Sequence, residues 1–235
     1  MRARLVDTLS DYLGFFVIPS YRWNTLGMTA MTFALGGLAF WMPEYIHTFR
    51  GRDAGPKTPL TLDDVNQKFG LITVVAGLSG TLVGGWMADR LRARFSGAYF
   101  LVSAMGMWLG LPLFLAVLCL PFPSAWWPLF LTEFCVLLNT GPANAILANV
   151  VPSAKRASAF GLNILSIHVL GDVISPPLMG ALTYQAEGNM NAGMGVVAVA
   201  MGLSGFCWLM GARHLSRDAQ AALEADAHAA AAEVL

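Results

Sequence analysis

Residues 97–120, GAYFLVSAMGMWLGLPLFLAVLCL, run for 24 positions without a charged side chain. As a helix this stretch rises about 36 Å at ~1.5 Å per residue, enough to cross the ~30 Å hydrocarbon core of a bilayer. Five further apolar runs flank it, at residues 24–46, 69–87, 126–151, 159–182 and 192–210. Lipid supplies no hydrogen-bond partners, so each run must satisfy its own backbone as a helix. The expected fold is an all-α membrane protein: a six-transmembrane-helix bundle over residues 23–212, with a segment at 1–22 before it and a tail at 213–235 after it.

Composition agrees. Hydrophobic residues make up 56% of the chain and charged residues 12%, against ~25% charged in an average soluble domain. A formal net charge of zero lacks the basic face that nucleic acid requires, so no nucleic-acid partner is expected. Cys119, Cys135 and Cys207 all fall inside spans and read as small buried hydrophobes, not as a disulfide set or metal site. Met1–Arg4 is not followed by an uninterrupted apolar stretch ending in small residues, so no cleavable signal peptide is expected.

Basic residues set the orientation. Six spans place both termini on one side, together with Arg2, Arg4, Arg22, Arg90, Arg92, Arg94, Lys155, Arg156, Arg213 and Arg217. The other side has Arg50, Arg52, Lys57 and Lys68. Short basic loops stay in the cytoplasm, so both termini are expected to be cytoplasmic, in a cell (inner) membrane.

Between the spans the sequence is brief. Leu5, Leu9, Leu13 and Phe16 recur at helical spacing and predict an amphipathic surface helix in residues 1–22. Residues 51–59 (GRDAGPKTP) read as a turn-rich external connection, and Thr61 with Asp63 and Asp64 as the N-cap and acidic first turn of the next helix. Residues 121–124 (PFPS) form a tight external turn. The alanine-rich tail from Ser216 reads as a solvated helix or disordered tail.

Polar residues inside spans are where chemistry is to be sought, because charge at that depth is costly. The fourth run carries Glu133, Asn139, Thr140, Asn144 and Asn149, and Pro142 should kink or break its helix. The fifth carries Asn163, His168 and Asp172 ahead of Ser175-Pro176-Pro177. His168 and Asp172, four apart, share a helical face and can pair. Such a pair can take up and release protons near neutral pH. Lone membrane asparagines and serines more often glue helices together. Three ionisable residues on two successive proline-disrupted spans fit a transport pathway better. Glu44 and Asp89 lie at span ends, where side chains can reach the interface. No H-E-x-x-H, nucleophile elbow or phosphate loop is found, so neither an enzyme nor a cofactor or metal site is expected.

Residues 84–94, GGWMADRLRAR, resemble the G-x-x-x-D-R-x-G-R-R/K cytoplasmic loop of the major facilitator superfamily, with Arg92 in place of its second glycine and Ala93 in place of the next basic residue. The resemblance implies a cytoplasmic gating loop using Gly85, Asp89, Arg90 and Arg94. Gly85 would permit close helix contact, Asp89 would meet the end of a neighbouring helix, and the arginines would pair with acids across the loop. A sharper likeness begins at Val151. Pro152, Arg156, Ala157 and Ala159, then His168, Leu170, Gly171, Asp172, Ser175 and Pro176, then Gly180, resemble the Spinster family of that superfamily.

The likeness covers residues 20–210, and only the second, C-terminal six-helix half of a twelve-span member. It implies a 3+3 inverted repeat forming one wall of a cavity. It also implies a secondary transporter of lipid-like or amphiphilic organic solutes, including lysophospholipids and phosphorylated sphingoid bases, by alternating access with protons as coupling ions. Glu133, Asn139, Asn163, His168 and Asp172 are the candidate substrate and proton pathway. The implied partners are membrane lipid, the solute, protons, and either a missing N-terminal half or a second copy of the chain. A truncated, non-transporting interaction module is the alternative.

Overall fold

The computed structural model describes residues 13–51 and 61–233. Among them all regular structure is helical, and six helices are long and apolar enough to cross a membrane. Span 1 is Pro19–Phe49: helix α1 (Pro19–Glu44) continued by a π-turn at Tyr45–Phe49. Span 2 is α2 (Leu62–Arg92) and span 3 is α3 (Ala98–Cys119). Span 4, Trp126–Val150, is two helices, α4 (Trp126–Leu137) and α5 (Thr140–Val150). Span 5, Ser153–Gln185, comprises a short 3-10 turn, α6 (Arg156–Ile167), a π-turn at His168–Asp172, and α7 (Ser175–Gln185). Span 6 is α8 (Met190–Gly211), and the tail forms α9 (Leu215–Glu233).

Local chemistry explains these boundaries. Thr61 accepts from the Asp64 N–H at 3.2 Å, and Asp64 accepts from the Thr61 N–H at 3.3 Å, a closed capping box that starts α2 as expected. Pro142 interrupts span 4 as its sequence predicts. The ring cannot donate to the carbonyl four residues back, that of Leu138, and crowds it. The chain turns at Leu138–Asn139 and restarts at Thr140. Pro176 and Pro177 act likewise on the carbonyls of Asp172 and Val173, just where span 5 widens. The Val173 N–H reaches back five residues to the His168 carbonyl at 3.1 Å. The surface helix expected in residues 1–22 falls partly on residues 1–12, outside the described residues. Span 1 already starts at Pro19, and Phe16 packs edge-on against Tyr21 at 5.5 Å. Residues 52–60 of the external connection also lie outside the described residues.

Packing makes spans 1 and 4 the interior of the bundle and spans 2 and 5 its flanks. About half of the central window is buried in spans 1 and 4 (50% and 56%), against 22% in spans 2 and 5. Span 1 lies against span 6 and the span 5 π-turn, span 3 against spans 4 and 6, and span 2 against span 4. Span 2 buries a stripe of small residues four apart, Ala76, Gly80, Gly84 and Ala88, which brings two backbones close in the absence of a hydrophobic drive. A Cβ at Gly84 would stand 1.8 Å from the Leu138 carbonyl oxygen, so the broken turn of span 4 seats directly on this glycine.

Both ends of the bundle are tied. On the side away from the termini, Arg50 donates to the carbonyls of Leu118 and, at 2.8 Å, Leu120, a cation at the C-terminus of α3. On the terminus side, α9 docks through Leu215, Asp218 and Ala222. Asp218 accepts from the Ser20 N–H at 2.8 Å, and Asp226 from the Ser153 N–H at 2.9 Å. The tail, read from sequence as a solvated helix or disordered tail, is helical and caps the first residues of spans 1 and 5.

Candidate functional site

The five intramembrane candidates fall in different surroundings. His168 and Asp172 do pair, with Nδ1 2.8 Å from Oδ2, on a part of span 5 that faces outward. Their side chains are 55% and 33% exposed, although His168 stands near the middle of a 33-residue span. The other Asp172 oxygen, Oδ1, is buried without a hydrogen-bond partner. The π-turn that carries the pair is pressed onto span 1. A Cβ on Gly36 would come within 2.4 Å of the Asp172 Cβ, and one on Gly171 within 3.0 Å of the Thr29 carbonyl. The Trp41 indole N–H donates to the Pro176 carbonyl at 3.0 Å and fixes the restart of the helix. Widened helical turns of this kind recur at functional sites.

Glu133 is sealed in the bundle, 1% exposed. It borders a small cavity with Ala34, Leu38, Val136, Val197 and Met201, and its Oε2 has no hydrogen-bond partner. Asn139 sits at the break in span 4; its amide donates to the Val136 carbonyl, and its Oδ1 is buried and unpartnered. Asn163 is fully engaged inside, accepting from the Thr25 hydroxyl at 2.9 Å and lying 3.4 Å from the Met28 sulfur. Of the five, only His168 and Asp172 bond to each other.

The loop after span 2 differs from its expected geometry in detail. The close helix approach is made at Gly84; a Cβ on Gly85 would meet open space, although its backbone receives Gly141 of α5. Asp89 does meet the start of the next helix, accepting from the Tyr99 hydroxyl at 2.9 Å. The arginine that joins it is Arg92, which donates to the same hydroxyl at 3.2 Å and lies 5.5 Å over its ring. Arg90 and Arg94 are exposed and form no ion pair among the described residues.

Other polar contacts were not anticipated. Asn24 donates to the Ala143 carbonyl at 2.9 Å and accepts from the Trp208 indole at 3.1 Å, joining spans 1, 4 and 6. The Tyr21 hydroxyl donates to the Ala159 carbonyl at 2.9 Å. Polar residues near a span end give no pattern that separates such a hub from an interfacial group.

Comparison with known proteins follows the same outline. No family model matches the chain. It is 36% identical over 171 residues to the zebrafish (Danio rerio) protein spinster homolog 3, covering 70% of this chain and 34% of that protein. Against the Drosophila melanogaster protein spinster it is 33% identical over 168 residues, 70% of this chain and 27% of the relative. The chain belongs to the Spinster family. A third relative, from Arabidopsis thaliana, is named "Probable sphingolipid transporter spinster homolog 2"; identity is 32% over 163 residues, 69% of this chain and 31% of that one. The chain thus spans about a third of the length of these Spinster relatives. A crystal structure of a bacterial homologue of the human lysosomal transporter Spinster, inward-facing and unoccupied, superposes with a TM-score of 0.69 at 15% identity. It covers 88% of this chain and 50% of that one, and the likeness is one of fold. The occupied form of the same kind gives 0.59. The multi-pass bundle therefore matches half of the bacterial homologue's chain in fold.

Proposed function

We propose that this chain is the second half of a Spinster-type secondary transporter that moves a lipid-like or amphiphilic solute by alternating access, with both termini cytoplasmic. The observation that carries the reading is the outward-facing His168–Asp172 pair. A hydrogen-bonded ionisable pair at mid-membrane has no place against hydrocarbon, so it faces a water-lined cavity, and a second six-helix half closes that cavity. The exposed apolar flanks of spans 2 and 5, with Leu71, Val75, Leu78 and Leu82 on one and Ile164, Leu165 and Val169 on the other, suit contact with such a half. The relative named a probable sphingolipid transporter supports the substrate class, and the name of the solved lysosomal-transporter homologue supports transport as such. In this reading His168 and Asp172 exchange the coupling proton, and Glu133 is the inner alternative carrier.

The test is reconstitution in liposomes with an imposed pH gradient and a fluorescent lysophospholipid. The chain alone should not transport. Co-reconstituted with a first-half partner it should, and His168→Ala in that complex should flatten the dependence on pH. Transport by the chain alone would remove the need for a second half, and an unchanged pH profile in His168→Ala would remove the coupling role.

A further inference from the structure

A groove of about 370 Å³ runs between spans 1, 5 and 6, beside the π-turn that carries His168 and Asp172 but lined by neither. Leu26, Ala30 and Phe33 of span 1, Leu170 of the π-turn, and Val199 and Leu203 of span 6 line it. The single hydroxyl in it, that of Thr29, is turned back to the Thr25 carbonyl at 2.8 Å. The volume lies within the ~300–1,000 Å³ of small-molecule sites. Leu26 to Phe33 stand roughly 10–21 Å into span 1 at ~1.5 Å per residue, inside the hydrocarbon layer.

The terminus-side end of this groove carries a basic cluster. Arg22 precedes Leu26 by one turn on the same helical face. Arg213 and His214 form the turn that follows span 6, and the charges of Arg22, Arg213 and Arg217 all act on His214. The acid present, Asp218, is already engaged by Arg217 at 3.0 Å and by the Ser20 N–H. Arg22 lies 6.0 Å over the Trp23 ring, and Arg213 uses its Nε–H on His214 Nε2 at 3.1 Å. Both guanidinium groups are exposed, outside any ion pair among the described residues. Two exposed planar forks at membrane-surface level, over an apolar slot of acyl-chain calibre, make an amphiphile site with an anionic head.

We propose that this groove and cluster bind one anionic glycerophospholipid from the leaflet facing the termini, with an acyl chain between spans 1 and 6 and the phosphate on Arg22 and Arg213. The lining residues all belong to this chain and include neither His168 nor Asp172, although Leu170 stands between them on the π-turn.

Native mass spectrometry of the full chain, released from vesicles of equal phosphatidylglycerol and phosphatidylcholine with the same acyl chains, tests it. The wild-type chain should retain phosphatidylglycerol over phosphatidylcholine by about tenfold, the factor of one ~1.4 kcal/mol preference. Arg22→Gln with Arg213→Gln should bring the ratio near one. Val199→Trp, at an exposed position that needs no refolding of the core, should cut retention of both lipids several-fold. Arg90→Gln with Arg94→Gln, equal in charge removed but remote in sequence, should leave the ratio intact. Equal retention by the wild type, or an equal loss from both arginine pairs, would overturn the proposal; the second result would mean diffuse attraction to a basic surface.

Discussion

Spans 4 and 5 are both interrupted through proline, and the two interruptions have opposite surroundings. In span 4 the turn at Leu138–Asn139 is seated on Gly84 of span 2, and the neighbouring Glu133 is enclosed with an oxygen that bonds to nothing. In span 5 the π-turn touches span 1 through Gly36 and Gly171 on one side only, and its acid is paired with an exposed histidine. One break is packed on its neighbours in the interior; the other is packed on span 1 and exposed on its far side. The same backbone device therefore stands in two different surroundings.

The largest test of that contrast adds a single Cβ at each joint. Gly84→Ala drives it into a backbone carbonyl that cannot turn away, and should cost about 3 kcal/mol or more, at the upper end for overpacked cores. Gly36→Ala meets the Asp172 Cβ at 2.4 Å and its Cα at 2.7 Å, on a turn packed against span 1 on one side, and should cost less, about 1–2 kcal/mol. The gain in helix propensity is the same for both and cancels. Thermal unfolding of the detergent-solubilised chain measures the difference; equal losses would mean that span 5 is held as rigidly as span 4.

The next effect has the opposite sign. Glu133→Leu removes the orphaned Oε2 from a small cavity lined mainly by apolar side chains. Since an unsatisfied buried polar group costs ~1–3 kcal/mol, the variant should melt higher than the wild type, while Glu133→Gln should change little. A lower melting point for Glu133→Leu would show that the carboxyl makes a favourable contact after all, and that the two joints are less different than their geometry indicates.

Much of this arrangement was readable beforehand, for reasons specific to each part. The spans were legible because hydrocarbon leaves a helix no alternative, and the breaks because proline acts at a known distance. His168 and Asp172 were legible as a pair because four residues along a helix is a local relation. Asn163 was not, because its partner Thr25 is 138 residues away and the register between spans 1 and 5 has no mark in the sequence. Gly84 and Gly85 are adjacent and alike, and only the position of the Leu138 carbonyl separates them. In the tail, Asp218 and Asp226 look like solvated charge until the helix starts they cap are in place.

A smaller effect concerns the exposed pair. Exposed ion pairs are worth ~0.2–1 kcal/mol, so His168→Ala, at the exposed member of the pair, should shift folding stability by less than about 1 kcal/mol. This sharpens the contrast with Gly84 and Glu133, whose effects arise from burial. A loss of several kcal/mol, read from the same unfolding curves, would instead make the pair a lock on span 5.

The smallest expected effect lies at the tail, which holds the starts of spans 1 and 5 together. His214 stands where α9 leaves the bundle, and burial, followed by the positive charge of Arg213, keeps its imidazole below the ordinary value of 6.5. The folded state therefore favours neutral His214, whereas the released segment takes up a proton near 6.5. Between those two values the released form binds more protons, so docking is at full strength above about pH 6.5 and weakens as pH falls toward the folded value. Amide exchange in α9 should quicken relative to α8 as pH is lowered from 7.5 to 5.5, after correction for intrinsic rates, and His214→Gln should abolish that differential change. If α9 opened more readily at the higher pH, or if His214→Gln kept the trend, His214 would not be the group that controls docking of the tail.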